Sequence, residues 1–156
     1  MFAHNRGKND IDISRWHIPS TCSTQEMFFN SAFSSINASN NYFTSLNALF
    51  ESSAASTIRI DNITLGSNNM IRAFKDCPLL ESLDLSPISN LSWTSTREAF
   101  MNCYSLENIY VNNNLIVAGD STDMFRDCQK LPNYDGVTFD ASKAVLSTQG
   151  GYLTKK

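Results

Sequence analysis

Ala73-Phe74-Lys75-Asp76-Cys77-Pro78-Leu79-Leu80-Glu81-Ser82-Leu83-Asp84-Leu85-Ser86 returns as Ala99-Phe100-Met101-Asn102-Cys103-Tyr104-Ser105-Leu106-Glu107-Asn108-Ile109-Tyr110-Val111. In both copies the aromatic residue is followed three positions later by Cys, six later by Leu, and nine and eleven later by aliphatic residues. A third copy begins at Met124-Phe125 and carries Cys128, Leu131 and Tyr134. Outward from these, the aromatic mark falls at Phe2, Phe28, Phe50, Phe74, Phe100 and Phe125, in steps of 26, 22, 24, 26 and 25. Periods of this size belong to leucine-rich-repeat solenoids, in which one short strand and one helical turn recur and no repeat can bury its apolar face alone.

The outer copies are looser. Met1-Phe2 is followed at the right offsets by Ile11 and Ile13, with Asn5 in the Cys column. The copies at Phe28 and Phe50 have Ser31 and Ser53 there, and their core positions (Phe33, Ile36, Ala38; Ala55, Ile58, Ile60) fall one residue early. Tyr152 lies 27 after Phe125 and reads as a degenerate seventh rung closing the C-terminal end, whereas the match at Phe2 leaves no room for a cap at the other.

Helix starts are expected before the aromatics. Ser23-Thr24-Gln25-Glu26 and Ser95-Thr96-Arg97-Glu98 have the spacing of a capping box, and Ser121-Thr122-Asp123 puts an acid in a first turn. After the Cys turn, x-aliphatic-x-aliphatic-x is a strand with its aliphatic residues inward. The expectation is an α/β leucine-rich-repeat solenoid of about six to seven rungs over residues 1–156, one domain. Short parallel strands stack at ~4.8 Å on one face, with short helices on the other, in a right-handed coil.

Leu83-Asp84-Leu85-Ser86, Ala99-Phe100-Met101-Asn102-Cys103, Met124-Phe125-Arg126-Asp127-Cys128 and Phe139-Asp140-Ala141-Ser142-Lys143 resemble the BspA-type leucine-rich-repeat surface proteins, whose repeat runs M-F-x-x-C-x-x-L-x-x-L-D-L-S. The resemblance covers nearly the whole chain, most closely from about 70 to 143, and departs from the family at Ser31, Ser53 and Pro87-Ile88. It implies an extracellular binding protein of a bacterial cell surface or of a virion, including that of a bacteriophage. It brings no catalytic residues.

Composition sets further bounds. A net charge of -3 and a pI near 5.2 give no electrostatic case for nucleic acid or an anionic membrane. Charged residues are only 17%, so Asn, Ser and Thr supply the polar surface. No apolar run reaches the roughly 18 residues of a membrane span, and residues 1–8 lack the apolar core of a signal peptide. An exported form would therefore have lost its signal or been cut from a longer chain.

Cys77, Cys103 and Cys128 share one repeat position and are expected to stack as buried thiols, which pack as small hydrophobes, although neighbouring rungs stand close enough for a disulfide. No paired C-x-x-C or His cluster suggests zinc, and no cofactor is expected. Cys22 lies outside the column near His17, a nucleophile pair with nothing to orient the His. Phosphate-loop, H-E-x-x-H and G-x-S-x-G motifs are absent, so no enzyme is expected. Asn37-Ala38-Ser39, Asn62-Ile63-Thr64 and Asn90-Leu91-Ser92 fit the glycosylation pattern, which an Asn-rich chain produces by coincidence.

The candidate ligand-binding column is the outward strand position: Asp12, Asn37, Arg59, Asp84, Tyr110 and Asp135, flanked by Asp10, Ser35, Thr57, Ser82, Asn108 and Asn133. Solenoid sheet faces are extended binding surfaces. Arg59, Asp84 and Tyr110 would stand consecutively within about 10 Å, offering a cation, an anion and an aromatic to a peptide or short sugar. The dull alternative is a solvated strand face. The leading expectation is a non-enzymatic recognition or adhesion module for a protein or glycan. The alternative is a structural virion or assembly component docking to neighbouring subunits, favoured by sparse charge and the open start at Phe2.

Overall fold

Alternating apolar and polar residues, bounded by turns, leave each segment after an aromatic too short to be stable except as a strand paired to its neighbours. The computed structural model describes residues 1–88 and 92–156, and in it these segments coil into a parallel β-solenoid. In chain order the strands are β1 (Ile11–Asp12), β2 (Ser35–Asn37), β3 (Tyr42–Phe43), β4 (Thr57–Arg59), β5 (Thr64–Leu65), β6 (Ser82–Asp84), β7 (Ser92–Trp93), β8 (Asn108–Val111), β9 (Ile116–Val117) and β10 (Thr154–Lys155). The main sheet runs β1-β2-β4-β6-β8-β10, and every pairing in it is parallel. Its register matches the repeat: Ile11 opposes Ile36, Ile36 opposes Ile58, and Leu83 opposes Ile109.

A second side of the coil is built from the pairs β3·β5 and β7·β9, which put Phe43 beside Leu65 and Trp93 beside Val117. Phe43 and Trp93 are fully buried. Only the repeats beginning at Phe28, Phe50, Phe74 and Phe100 have the aromatic turn and a strand on both sides, so the solenoid makes about four complete turns. This corrects the expected six to seven rungs. After Phe125 the chain does not re-enter the sheet at Tyr134. Residues 133–153 fold across the end instead, and β10 fills the sixth strand position.

The expected helices are also corrected. Among the described residues there is no α-helix, only two three-residue 3-10 turns, Ala141–Lys143 and Ser147–Gln149. The cause lies two residues either side of each aromatic, where the backbone turns left-handed: Glu26 and Asn30 around Phe28, Ala48 and Ser52, Arg72 and Asp76, Glu98 and Asn102, Asp123 and Asp127. Glu26, Glu98 and Asp123, read from sequence as helix starts, are thus the residues that break the helix. Instead of bonding back four residues, N–H groups bond across to the next repeat. Ala48, Phe50 and Ser52 donate to the carbonyls of Ile71, Ala73 and Lys75, and Arg72, Phe74 and Asp76 to those of Arg97, Ala99 and Met101.

Two left-handed non-glycine residues cost roughly 2–4 kcal/mol per turn. Three cross-turn hydrogen bonds return about 1.5–4.5 kcal/mol. The two nearly cancel, so aromatic burial decides for the solenoid. From Phe2 to Phe125 successive rings lie 5.3–5.7 Å apart and within 13° of parallel. From Phe28 to Phe125 the rings are completely buried. The aliphatic columns close the other sides of the core, including Ile36, Ile58, Leu83 and Ile109 on the main sheet and Leu80, Leu106 and Leu131 beside the rings.

The ends differ. Tyr152 meets Phe125 edge-on at 5.4 Å and 80°, so it terminates the ring stack rather than extending it, with Tyr134 and Phe139 beside it. At the other end Phe2 is only half-buried, against Trp16 at 5.5 Å, and β1 is a sheet edge.

Candidate functional site

Parallel pairing fixes the outward strand column by register: Asp12 opposes Asn37, Asn37 opposes Arg59, and Asp84 opposes Tyr110. The flanking Ser35, Thr57, Ser82 and Asn108 are likewise in line. Asp135 and Asn133 are not in these columns. Thr154 opposes Tyr110 where Asp135 was expected, because residues 133–138 belong to the end cover. Asn133 donates from Nδ2 to the carbonyls of Ser147 and Gly151, and Asp135 accepts from the N–H groups of Val137 and Thr138.

Most of this column is already engaged by its own chain. Asp12, Asn37 and Asp84 each accept the N–H two residues on, from Ser14, Ser39 and Ser86, which turns the chain as it leaves the strand. Hydrogen bonding from Ser14 holds Asp12 below the usual carboxylate pKa. For Asp84 burial pushes upward, but bonds from Lys156 and Ser86 outweigh it and the net shift is downward. Arg59 lies 3.0 Å from Asp61 Oδ2, and Asp84 pairs with Lys156. Tyr110 is half-buried. The trio is therefore consecutive in the stack, yet its cation and anion are each paired to a neighbour rather than held open.

Ser31, Ser53, Cys77, Cys103 and Cys128 are all buried. Each thiol donates to the carbonyl of the preceding repeat's aromatic: Cys77 to Phe50 at 3.1 Å, Cys103 to Phe74 at 3.0 Å, Cys128 to Phe100 at 2.9 Å. Burial pushes the Cys77 and Cys103 thiols well above their ordinary pKa. Thiols so held stay protonated and are poor nucleophiles. Cys22 is exposed, and among the described residues no hydrogen bond joins it to His17. No cluster of three metal-ligating side chains occurs among the described residues. Of the glycosylation patterns, Asn62 is exposed, Asn37 is half-buried, and Asn90-Leu91 lies outside the described residues.

A second arrangement was not foreseen from the sequence. Trp16, His17, Asn40, Asn41, Tyr42 and Asn62 line a hollow of about 210 Å³ on the side carrying β3 and β5. Trp16 is 46% exposed, and its ring is held from one side by Phe2. Asn40 and Asn62 are left-handed residues on successive turns, with Asn62 Nδ2 donating to Asn40 Oδ1 at 3.4 Å. The Tyr42 hydroxyl lies over Gly66, 2.2 Å from where a Cβ would stand, so only glycine leaves room for it. Asn41 is buried, and its Nδ2 donates to the carbonyls of Ile13 and Ser39 at 2.8 and 2.9 Å. That fixes the amide and leaves Oδ1 as a buried acceptor without a partner among the described residues. Such an orphan costs about 1–3 kcal/mol. Stretches such as Tyr42-Phe43 and Thr64-Leu65 carried the signal for this side, but were masked by corners of varying length.

No family model, curated protein or solved structure matches this chain.

Proposed function

We propose that the chain is a non-enzymatic recognition module of the BspA-type leucine-rich-repeat class, displayed on a bacterial cell surface or virion and binding a protein or glycan partner. One observation carries the reading. The solenoid commits its interior columns to packing and holds its exterior side chains in register, so that Asp12, Asn37, Arg59, Asp84 and Tyr110 stand as an ordered row. Such a row suits an extended partner. Its test is replacement of Arg59, Asp84 and Tyr110 together by Ala. Binding to glycan arrays or to bacterial surface protein should fall about tenfold, with the melting temperature nearly unchanged. Unchanged binding would reduce the flank to a solvated face.

The second reading is an assembly component docking to neighbouring subunits. It is favoured by β1, an edge of the sheet, and by half-buried Phe2 beside it, since an unpaired edge is a template for another strand. Light scattering of the purified chain separates the two: a monomer across concentrations supports recognition, and self-association that Phe2→Glu abolishes supports docking.

A further inference from the structure

We infer that the hollow between Trp16, Tyr42 and Asn62 is a binding site for one ring of a neutral saccharide. The inference narrows the recognition reading, on which it rests, to a ligand class, and adds a contact beyond the strand flank. Four features of the hollow converge on that chemistry.

Trp16 presents an exposed aromatic face braced by Phe2, a fixed platform for the apolar C–H face of a pyranose. Asn40 and Asn62, both exposed, set side-chain amides beside it, which both donate and accept and so match hydroxyl groups in either sense. Apart from the imidazole of His17, the residues lining the hollow include no ionisable cation and no carboxylate, so a cationic ligand would give up its hydration without a counter-charge and an anionic one would find a single imidazole. The volume of about 210 Å³ lies below the roughly 300 Å³ of drug-sized pockets. It admits a single ring with the rest of a chain outside, and excludes a nucleotide cofactor.

Tyr42 sets one wall. Parallel pairing puts it beside Thr64, and Gly66 lets its hydroxyl settle across the neighbouring turn. The hollow is thus a product of stacking three successive turns rather than of one loop.

The experiment uses the whole chain against an array of neutral hexose and N-acetylhexosamine oligosaccharides, with sialylated and sulfated glycans as the charged arm. Tryptophan emission is read in parallel. Trp93 is fully buried and Trp16 exposed, so a change on adding ligand reports on Trp16. The expected result is retention of neutral glycans only, a shift in Trp16 emission, and a loss of about tenfold in affinity in both Trp16→Ala and Asn62→Ala. Because Trp16 also packs on Phe2, Asn62→Ala, at an exposed position, separates lost contact from lost folding. Retention of charged glycans alone, no retention at all, or unchanged binding by Asn62→Ala would each overturn the site. Loss in the triple variant with Trp16→Ala unaffected would overturn it while leaving the recognition reading standing.

Discussion

Glu26→Gly should stabilise the protein. Glu26 is exposed, has φ of 57°, and makes no ion pair among the described residues. An L-residue held left-handed is penalised by roughly 1–2 kcal/mol, and glycine removes that penalty. Against this stands the greater freedom glycine gives the unfolded chain, about 0.4–1 kcal/mol. The difference favours Gly by about 0.5–1 kcal/mol, or roughly 1–4 °C in melting temperature for a chain of this size. A helical first turn would give the opposite sign, with Gly about 1 kcal/mol worse than Ala. Urea and thermal denaturation of Glu26→Gly beside Glu26→Ala isolates the backbone contribution, because both lose the carboxylate. Gln25→Gly, at an exposed neighbour outside the left-handed positions, should lower stability. If Glu26→Gly melts below Glu26→Ala, the left-handed turns are wrong and the helical expectation stands.

Phe100→Ala removes the ring between Phe74 and Phe125 and should cost about 3–5 kcal/mol in urea denaturation; a loss under about 1 kcal/mol would refute the stack. Cys77, Cys103 and Cys128 should react with a thiol reagent only on unfolding, while Cys22 labels at once; fast native labelling of more than one thiol would show the column to be open. The N–H groups of Val137 and Thr138 hold Asp135 well below the usual carboxylate range, so its contribution is present above about pH 4 and lost as pH falls through the folded value. Asp135→Asn should therefore melt lower than the parent at pH 7, with the gap closing in acid; a gap that is independent of pH would refute this. The Tyr152 phenol is pushed up to about 12, chiefly by burial, so that contribution is complete below about pH 10 and lost through about pH 12. Tyr152→Phe should flatten that alkaline loss.

The coiling and the interior were legible because they rest on offsets that a ring stack enforces. One aromatic per turn, with Cys and Leu at constant distances from it, can be satisfied only if successive turns superpose. The turn conformation was not legible. Glu26, Ala48, Arg72 and Glu98 are good helix formers by propensity, and Ser23 and Ser95 are spaced as caps. What overrides them is hydrogen bonding to a repeat more than twenty residues away, which no local pattern expresses. The second side was hidden for a related reason. Phe43, Leu65, Trp93 and Val117 follow their aromatics by fifteen, fifteen, nineteen and seventeen residues, so loop length varies where packing does not. Asp135 was misplaced because the repeat was extrapolated through the last aromatic into a segment that covers the end. Asn41 could not be singled out in so Asn-rich a chain, since only burial distinguishes it.

The cross-turn hydrogen bonds also give the stack an electrical sense. Each pair such as Ile71 C=O with Arg72 N–H, or Ala73 C=O with Phe74 N–H, belongs to one peptide plane whose carbonyl accepts from the earlier turn and whose N–H donates to the later one. Those planes lie along the solenoid axis with their dipoles aligned, and they repeat from turn to turn as in a helix laid on its side. The partial positive pole faces the C-terminal end and the negative pole the N-terminal end, the reverse of an α-helix read along its chain. Side-chain charges do not oppose that field: residues 1–30 carry three cations and three anions, and residues 118–156 carry five of each, so the polarity of the ends is left to the backbone. A charge brought to either end would feel that field at roughly 0.3–1 kcal/mol, and two copies approaching end to end would meet with opposite poles facing only when they point the same way.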